Sequence, residues 1–335
     1  MNPHSYSPFA TRIRESLAEL GISGKIVVAV SGGADSMALL RALLEVVSDP
    51  SENLCVGHLD HGLRPESADD ATWLVEQGGN LGVSVHTARR EIAEEAARSR
   101  RGIEETARRA RYAWLAELAQ QVDARYVLTA HTANDVSETI LFNMIRGTGL
   151  AGLRGVAPRW RVGDSVTVAR PMLSIVRDEV ITYLEEIGQG VREDVTNADL
   201  GFTRNRLRHE ILPALRQVVN PRLDQALGRL ANQARETQSL LNHLAQKELR
   251  HCLKESGPME IRLNTARLMR RRSLLVREVL RHVWTDAGWP RQEMTARHWL
   301  LMARIVREGG RRSFPGGVDV RRTRDELILR RPSAP

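Results

Sequence analysis

The residues best suited to chemistry stand together at Ser31–Ser36, which reads SGGADS. An apolar, β-branched run at Ile26–Val30 precedes them and predicts a short buried strand. Apolar residues then recur at helical spacing over Met37–Leu44, which predicts a helix. A strand that passes through two glycines into a helix collects backbone N–H groups and the positive end of the helix dipole at one point. The stretch therefore predicts an anion-binding loop, to which the serine hydroxyls add further donors.

Two familiar phosphate-binding patterns are absent from this loop. The sequence has no G-K-S or G-K-T ending of a Walker loop, and the glycines do not form the G-x-G-x-x-G of dinucleotide-binding folds. On the glycines alone, a tight strand-to-helix turn capped by Ser31 or Asp35 is the alternative interpretation. The class of ligand therefore has to be inferred from the rest of the chain.

Polar residues also end other predicted strands. His58, Asp60 and His61 lie at the end of a strand that starts at Leu54, and His131 opens a polar segment after another strand. Helices alternate with these strands along the first half of the chain. This order predicts a doubly wound α/β fold with a parallel sheet, in which ligands bind at the carboxyl ends of the strands. We expect the polar segments to share one site at that edge.

Two pairs of residues on predicted helices carry charge that such a site would need. Arg108 and Arg111 are about one helical turn apart, beside an apolar face. Asp135 and Glu138 are three residues apart, so they share a helix face and could together hold an ammonium group or a metal ion. Alternatively, Asp135 forms a capping box with Thr132, Glu138 is a surface charge, and both arginines are solvated.

The length of 335 residues suggests two domains, which we place at residues 1–215 and 216–335. In the first domain, Gly78-Gly79 is expected to end a helix. The second domain is expected to be smaller and mainly helical. It opens with a long helix over about 220–255 and ends in a short β-hairpin around the Pro-Gly-Gly turn at 315–317.

Composition limits the classes of function. The formal net charge is +8, and nearly all basic residues are arginine, whose planar fork suits phosphate groups. Within residues 262–281, seven arginines are opposed by Glu278 alone, so we expect a polyanion to bind there, with a solvated helix face as the alternative.

Cys55 and Cys252 form no C-x-x-C pattern, which argues against a disulfide framework, a zinc ribbon or an iron–sulfur cluster. With no apolar leader or membrane span, we expect a soluble cytoplasmic protein.

The SGGADS loop resembles the SGGxDS loop of the N-type ATP pyrophosphatases, also called the PP-loop family. In that family the loop binds the β,γ-pyrophosphate of ATP. The resemblance implies attack at the α-phosphorus, with AMP and pyrophosphate as products.

Further stretches are similar to those of one branch of that family, the tRNA(Ile)-lysidine synthetases. They follow in the same order over roughly the first 215 residues and read HLDHGLRPES at 58–67, GIEETARRARY at 102–112, AHTANDVSETILFNMIRGTGLAGL at 130–153, RPML…RDEV…YL at 170–184 and EDVTNADLGFTRNRLRHEILPAL at 193–215. The resemblance implies that ATP, with Mg²⁺, adenylates the carbon-2 carbonyl oxygen of the wobble cytidine in a CAU-anticodon tRNA(Ile). The ε-amine of free L-lysine then displaces AMP. A homodimer is compatible with the sequence.

The site residues are assigned by their match to family motifs or by their charge. The implied catalytic residues are Asp35, Arg108, Asp135 and Glu138. The implied ATP-binding residues are Ser31, Gly32, Gly33, Ala34, Asp35, Ser36, His58 and His131, and Asp35 is also the candidate Mg²⁺ ligand. The lysine substrate is assigned to Asp60, His61 and Asp135. Contact with tRNA is assigned to Arg204, Asn205, Arg208, Arg270, Arg271 and Arg272.

These assignments have alternatives. The segment His58–His61 could brace its own turn, and the basic residues at 204–208 could serve a domain interface. The chain also departs from the family pattern AHHxDDxxET, because Thr132 replaces the second histidine and Asn134 replaces the first aspartate. A thiolase-like tRNA-modifying enzyme of the same family, an amidotransferase-coupled synthetase and a non-catalytic ATP- and tRNA-binding relative are the competing functions.

Overall fold

The structure, a computed structural model, describes residues 6–63, 67–99, 102–192 and 203–331, without the side chains of Ala68, Thr203 and Arg204. The chain separates into two compact units, Met1–Asn232 and Gln233–Pro335. The domain division after residue 215 stays a prediction. Among the described helices, none combines the length and the apolar character that a membrane crossing requires.

The first unit alternates strands and helices as predicted. Its strands are β1 Ile26–Ala29, β2 Leu54–Asp60, β3 Ser84–Arg89, β4 Tyr126–Leu128, β5 Arg159–Val162 and β6 Val166–Ala169. Its helices are α1 Pro8–Glu19, α2 Ala34–Val46, α3 Pro50–Asn53, α4 Ser67–Leu81, α5 Ile92–Ser99, α6 Ile103–Gln121, α7 Ala133–Ile145, α8 Leu150–Leu153, α9 Arg177–Glu186, α10 Thr203–Arg206, α11 Leu212–Val218 and the start of α12 Leu223–Cys252.

The six strands form one sheet in the order β3-β2-β1-β4-β6-β5. All neighbouring strands are parallel except the edge pair β5 and β6, which form a hairpin. The prediction of a doubly wound parallel sheet is therefore confirmed, with one antiparallel strand added at its edge. Because the five parallel strands point the same way, their carboxyl ends meet along one edge of the sheet.

Both faces of the central strand are buried. Ile26 and Val28 pack into a core with α1, α2 and α9, whereas Val27 packs into a second core with α6. Successive side chains of a strand point to opposite faces. A strand covered by helices on both faces must then be apolar throughout, which explains the continuous apolar run before the glycine loop.

The helix α4 was predicted to end near Gly78-Gly79 and ends two residues later. The helix continues to Leu81, and Gly82 follows it with a positive φ of 70°. Gly78 lies within the helix because α4 packs closely on β3: a Cβ atom at position 78 would collide with Val85 and lie 3.1 Å from the carbonyl oxygen of Val83. This glycine serves helix–sheet packing and does not end the helix.

The second unit contains the remainder of α12, three further helices and an antiparallel sheet. Its other elements are β7 Leu253–Ser256, β8 Glu260–Asn264, α13 Thr265–Met269, α14 Ser273–Asp286, α15 Ala296–Glu308, β9 Arg311–Phe314, β10 Val318–Arg322 and β11 Glu326–Arg330. The sheet order is β7-β8-β11-β10-β9. The predicted hairpin is confirmed in β9 and β10, and β11, β8 and β7 extend it to a sheet of five strands. Trp284 is fully buried at the centre of this unit, and Trp289 and Trp299 pack edge-on against it.

The two adjacent glycines of α4 provide a matched stability test. Gly78→Ala should lower the free energy of unfolding by about 1–3 kcal/mol, because the added methyl group overpacks the contact with β3. Gly79→Ala should raise it by up to about 1 kcal/mol, since nothing lies within 4 Å of the new Cβ and alanine favours the helix. Urea unfolding followed by circular dichroism measures both. Equal effects of the two substitutions would contradict the packing role of Gly78.

Candidate active site

The predicted site residues of the first unit gather at the carboxyl edge of the parallel sheet. The glycine loop follows β1, the segment His58–His61 ends β2, and His131 follows β4. The charges of Asp135 and Arg208 act on the pKa of Asp35, and those of Arg108 and Arg111 act on the pKa of His131. Residues from distant parts of the sequence therefore share one electrostatic environment.

The glycine loop has the geometry of an anion cradle. Gly32 has a positive φ of 89°, and Gly33 stands at the N-cap of α2, where it offers no side chain to satisfy the first N–H groups of the helix. The backbone N–H of Ser31 donates to the hydroxyl of Ser36 (3.2 Å), which itself donates to the carbonyl of Gly33 (2.8 Å). Asp35 does not cap the helix, because its side chain pairs with Arg177. A phosphate could approach the helix N-terminus directly.

Two contacts from elsewhere in the chain hold this loop. The buried ring of His58 donates from Nδ1 to the carbonyl of Val30, at 2.9 Å. Burial lowers the pKa of His58, so the ring is neutral and acts here as a hydrogen-bond donor. On the other side, the backbone N–H of Arg192 donates to the carbonyl of Gly32 (3.0 Å), and its guanidinium lies over the ring of Trp73. The position of His58 favours support of the loop, while direct contact with ATP stays a prediction.

Asp35 is suited to a metal ion that a nucleotide also binds. Its Oδ2 pairs with Arg177, while Oδ1 is buried and has no hydrogen-bond partner among the described residues. Burial raises the pKa of this carboxyl despite the neighbouring arginine. No group of three or more potential ligands occurs among the described residues. Mg²⁺ commonly binds through one or two carboxylates plus substrate phosphates, so Asp35 beside the cradle fits such an ion.

The end of β2 contains a structural carboxylate and an unusual histidine. Asp60 is buried and accepts a hydrogen bond from the N–H of Gly62 (2.8 Å), so it braces the turn. His61 accepts a hydrogen bond at Nε2 from Arg111 (2.9 Å). Burial and the charge of Arg111 lower the pKa of His61 to about 4. Its proton is therefore on Nδ1, a buried atom to which the described part of the chain offers no hydrogen-bond partner. The assignment of Asp60 and His61 to lysine stays a prediction.

The two departures from the family pattern have defined contacts in the structure. Thr132 is buried, and its backbone N–H and hydroxyl donate to Oδ2 of Asp135 at 2.7 and 3.2 Å. The side-chain oxygen of Asn134 accepts a hydrogen bond from the backbone N–H of Arg177 (3.0 Å), the first residue of α9. Thr132 therefore orients Asp135, and Asn134 fixes the start of α9.

Glu138 is a buried charge. Its side chain is 3% exposed and lies 3.0 Å from Nε of Arg208, in the helical turn between α10 and α11. A buried carboxylate requires such a partner, since an unpaired charge would be costly to desolvate. The pair excludes the surface-charge interpretation of Glu138 and brings Arg208 to the acidic pair of α7.

Two arginines of the site, Arg170 and Arg177, were not assigned from the sequence. Arg170 is 3% exposed, stacks over the ring of Trp160 at 4.0 Å and donates to the hydroxyl of Tyr112. Burial and, after it, the charge of Arg170 lower the pKa of His131 to about 4. Both arginines lie in the stretch RPML…RDEV, and Arg170 directly follows β6, so the strand-end rule could have identified it.

The remaining predicted residues are less confined. Arg108 is exposed on α6, with its guanidinium over the ring of Tyr112. Asn205 is half-buried in α10, and the side chain of Arg204 lies outside the described residues. The roles of these three residues stay predictions.

In the second unit, the arginine-rich run is more balanced than its sequence suggests. Acidic residues from outside the run pair with three of its members: Glu248 with Arg267 and Arg271, and Glu260 with Arg262. Arg270 and Arg272 are exposed. A pocket of about 410 Å³ is lined by Met269, Arg270, Arg271, Arg272 and Arg307. The phosphate-binding potential is therefore concentrated at this pocket.

Comparisons with known proteins agree with the motifs. The family model of the PP-loop domain matches residues 5–215. A protein of Deinococcus deserti named tRNA(Ile)-lysidine synthase is 40% identical over 70% of this chain, and the chain spans only 42% of that protein. A Gloeobacter violaceus protein of the same name is 36% identical, over 84% of this chain and 82% of its own length.

A solved structure shows the same fold at low identity. The U34-tRNA thiolase NcsA of Methanococcus maripaludis, with its 4Fe-4S cluster, has a TM-score of 0.54 and is 15% identical. The likeness covers 67% of this chain and 77% of that one.

The buried neutral histidines predict acid sensitivity. The unfolded chain binds protons at histidine near pH 6.5, whereas His61 and His131 stay neutral in the folded chain down to about pH 4. The free energy of unfolding should therefore fall as the pH decreases, by up to about 2 kcal/mol for each histidine between roughly pH 7.5 and 5.0. Urea unfolding of His131→Gln should show a smaller fall. The exposed His86→Gln is the control, and an identical pH dependence in both variants would contradict the burial of His131.

Proposed function

Because the chain belongs to the PP-loop family and, within it, to the tRNA(Ile)-lysidine synthases, we propose that it ligates L-lysine to a tRNA(Ile) at the expense of ATP. The target is carbon 2 of the wobble cytidine in a CAU anticodon, and the products are lysidine, AMP and pyrophosphate. One observation carries this proposal: an anion cradle at the start of α2 shares a sheet edge with the acidic pair Asp135 and Glu138. The reaction needs both, since the site has to bind the triphosphate of ATP and also a substrate that carries an amine.

In the first step, the carbon-2 carbonyl oxygen of cytidine attacks the α-phosphorus of ATP, and the bond to the bridging oxygen of the β-phosphate breaks. Pyrophosphate leaves with the bonding electrons. The N–H groups at the start of α2 and the neighbouring arginines are suited to the charge that develops there. Mg²⁺, if held by Asp35, would neutralise phosphate charge. Arg108 is assigned to the α-phosphate side of the site.

In the second step, the ε-amine of lysine attacks carbon 2, AMP leaves, and the nitrogen loses its proton. We assign the lysine ammonium group to Asp135, whose Oδ2 is already oriented by Thr132. Glu138 is already paired with Arg208, so Asp135 is the member of the acidic pair assigned to direct contact with the ammonium group. Free lysine is positively charged at neutral pH, so an acidic pocket favours its binding before deprotonation.

Cysteine chemistry does not favour the thiolase alternative. Cys55 and Cys252 are both buried and free. Burial raises the pKa of both thiols, that of Cys252 to about 12. A thiolate is the reactive form, so these residues are poor sulfur carriers.

Transfer of labelled L-lysine tests the proposed function. With ATP and Mg²⁺, the label should appear on a CAU-anticodon tRNA(Ile) transcript and not on elongator tRNA(Met), which has the same anticodon. Asp35→Ala should abolish transfer and tRNA-dependent ATP–pyrophosphate exchange while leaving tRNA binding largely intact. If neither RNA is labelled while ATP still binds, the result would contradict the proposal and favour a thiolase or a non-catalytic relative. Loss of tRNA binding in the variant would contradict the role of Asp35.

The arginine pocket predicts a salt-dependent contact with tRNA phosphates. Replacing both Arg270 and Arg272 with alanine should weaken tRNA binding and flatten its dependence on salt, with the logarithmic slope falling by roughly one for each arginine. Filter binding at several salt concentrations measures this slope. Arg297→Ala, at an exposed position of α15 outside the pocket, is the control. An unchanged slope in the double variant would show that the pocket does not contact RNA.

A further inference from the structure

Arg177 lies beside the anion cradle, with its backbone anchored and its guanidinium paired with Asp35. It is the first residue of α9, and its N–H is held by Asn134 at 3.0 Å. Its guanidinium pairs with Oδ2 of Asp35, yet the side chain is 43% exposed. The backbone position is therefore fixed, while the guanidinium can change partners without displacing packed groups.

The partner of Arg177 is also the residue best placed to hold a metal ion. Asp35 is the second residue of α2, so a guanidinium bound to it lies beside the N–H groups of the cradle. Oδ1 of the same carboxylate is buried, and none of the residues that the structure describes forms a hydrogen bond with it. A divalent cation on this carboxylate would repel the guanidinium, and two cations would compete for one anion.

We propose that Arg177 exchanges partners during nucleotide binding. Without nucleotide, its guanidinium neutralises Asp35; with ATP in the site, Asp35 would hold the Mg²⁺ ion and the guanidinium of Arg177 binds the β,γ-pyrophosphate. This inference rests on the proposed ATP chemistry and adds a catalytic residue to it. The planar fork of arginine suits two phosphate oxygens at once. After pyrophosphate and metal leave, the guanidinium returns to Asp35.

A double-mutant cycle with pyrophosphate tests the exchange without tRNA, lysine or turnover. Calorimetric titration in EDTA compares the wild type, Asp35→Asn, Arg177→Met and the double variant. Asp35→Asn should bind metal-free pyrophosphate about tenfold more tightly than the wild type, because the released guanidinium becomes available. This gain should vanish in the Arg177→Met background. A gain of the same size there would show that loss of the Asp35 charge alone explains it, and would overturn the proposal.

Nucleotide binding supplies a second readout. In the presence of Mg²⁺, Arg177→Met should weaken binding of α,β-methylene-ATP about tenfold and leave AMP binding unchanged, since AMP lacks the β- and γ-phosphates. Arg177→Lys should recover part of the affinity. Arg125→Met, at an exposed position before β4 on the opposite edge of the sheet, is the matched control. Unchanged or tighter binding of the analogue by Arg177→Met would show that Arg177 only neutralises Asp35.

The two proposals fail in distinguishable ways. An intact cycle with no lysine transfer would contradict the proposed function while retaining the exchange at Asp35. Lysine transfer with no coupling in the cycle would contradict the exchange alone. Circular dichroism of each variant shows whether a loss of affinity reflects unfolding.

Discussion

The parallel pairing of β1 with β2 on one side and β4 on the other decides where chemistry can occur in this chain. Parallel strands end at the same edge of a sheet, so the segments that follow them meet there without any special contact. The hydrogen bond from His58 to Val30 adds precision, because it ties the residue before the glycine loop to the end of β2. The cradle, the histidines and the acidic pair of α7 all depend on this alignment.

Around that edge, buried charges are held in pairs that join distant segments. Glu138 pairs with Arg208. The hydroxyl of the preceding residue, Ser137, donates to Asp224 at the start of α12 (2.6 Å), and Arg216 donates two hydrogen bonds to the same carboxylate. Removing one member of such a pair leaves an uncompensated charge, so these contacts fix the face of α7 that carries the acidic pair. The substrate side of the site is thus positioned from the helical end of the first unit.

The features that could be predicted from the sequence are those that depend on residues close together in the chain. The apolar run before SGGADS, the alternation of strands and helices, and the Thr132–Asp135 capping box are all local patterns. The packing role of Gly78 was not predicted, because it depends on the close approach of Val85, which no local pattern encodes. Arg170 and Arg177 have partners far along the chain. The strands β7 and β8 are short and largely polar, and they join the sheet through pairing of β8 with the distant β11. Their identification required the tertiary structure.

The arginine-rich composition has a consequence for chemical selectivity. An enzyme that activates a nucleobase for attack by an amine risks capture of that electrophile by its own amines. The lysines of this sequence are Lys25, Lys247 and Lys254. Lys25 directly precedes β1 and so lies at the amino edge of the sheet, opposite the glycine loop, while the other two belong to the second unit. Guanidinium groups supply positive charge without nucleophilicity at neutral pH, so under the proposed function the scaffold can bind polyanions while leaving free lysine as the amine that reacts.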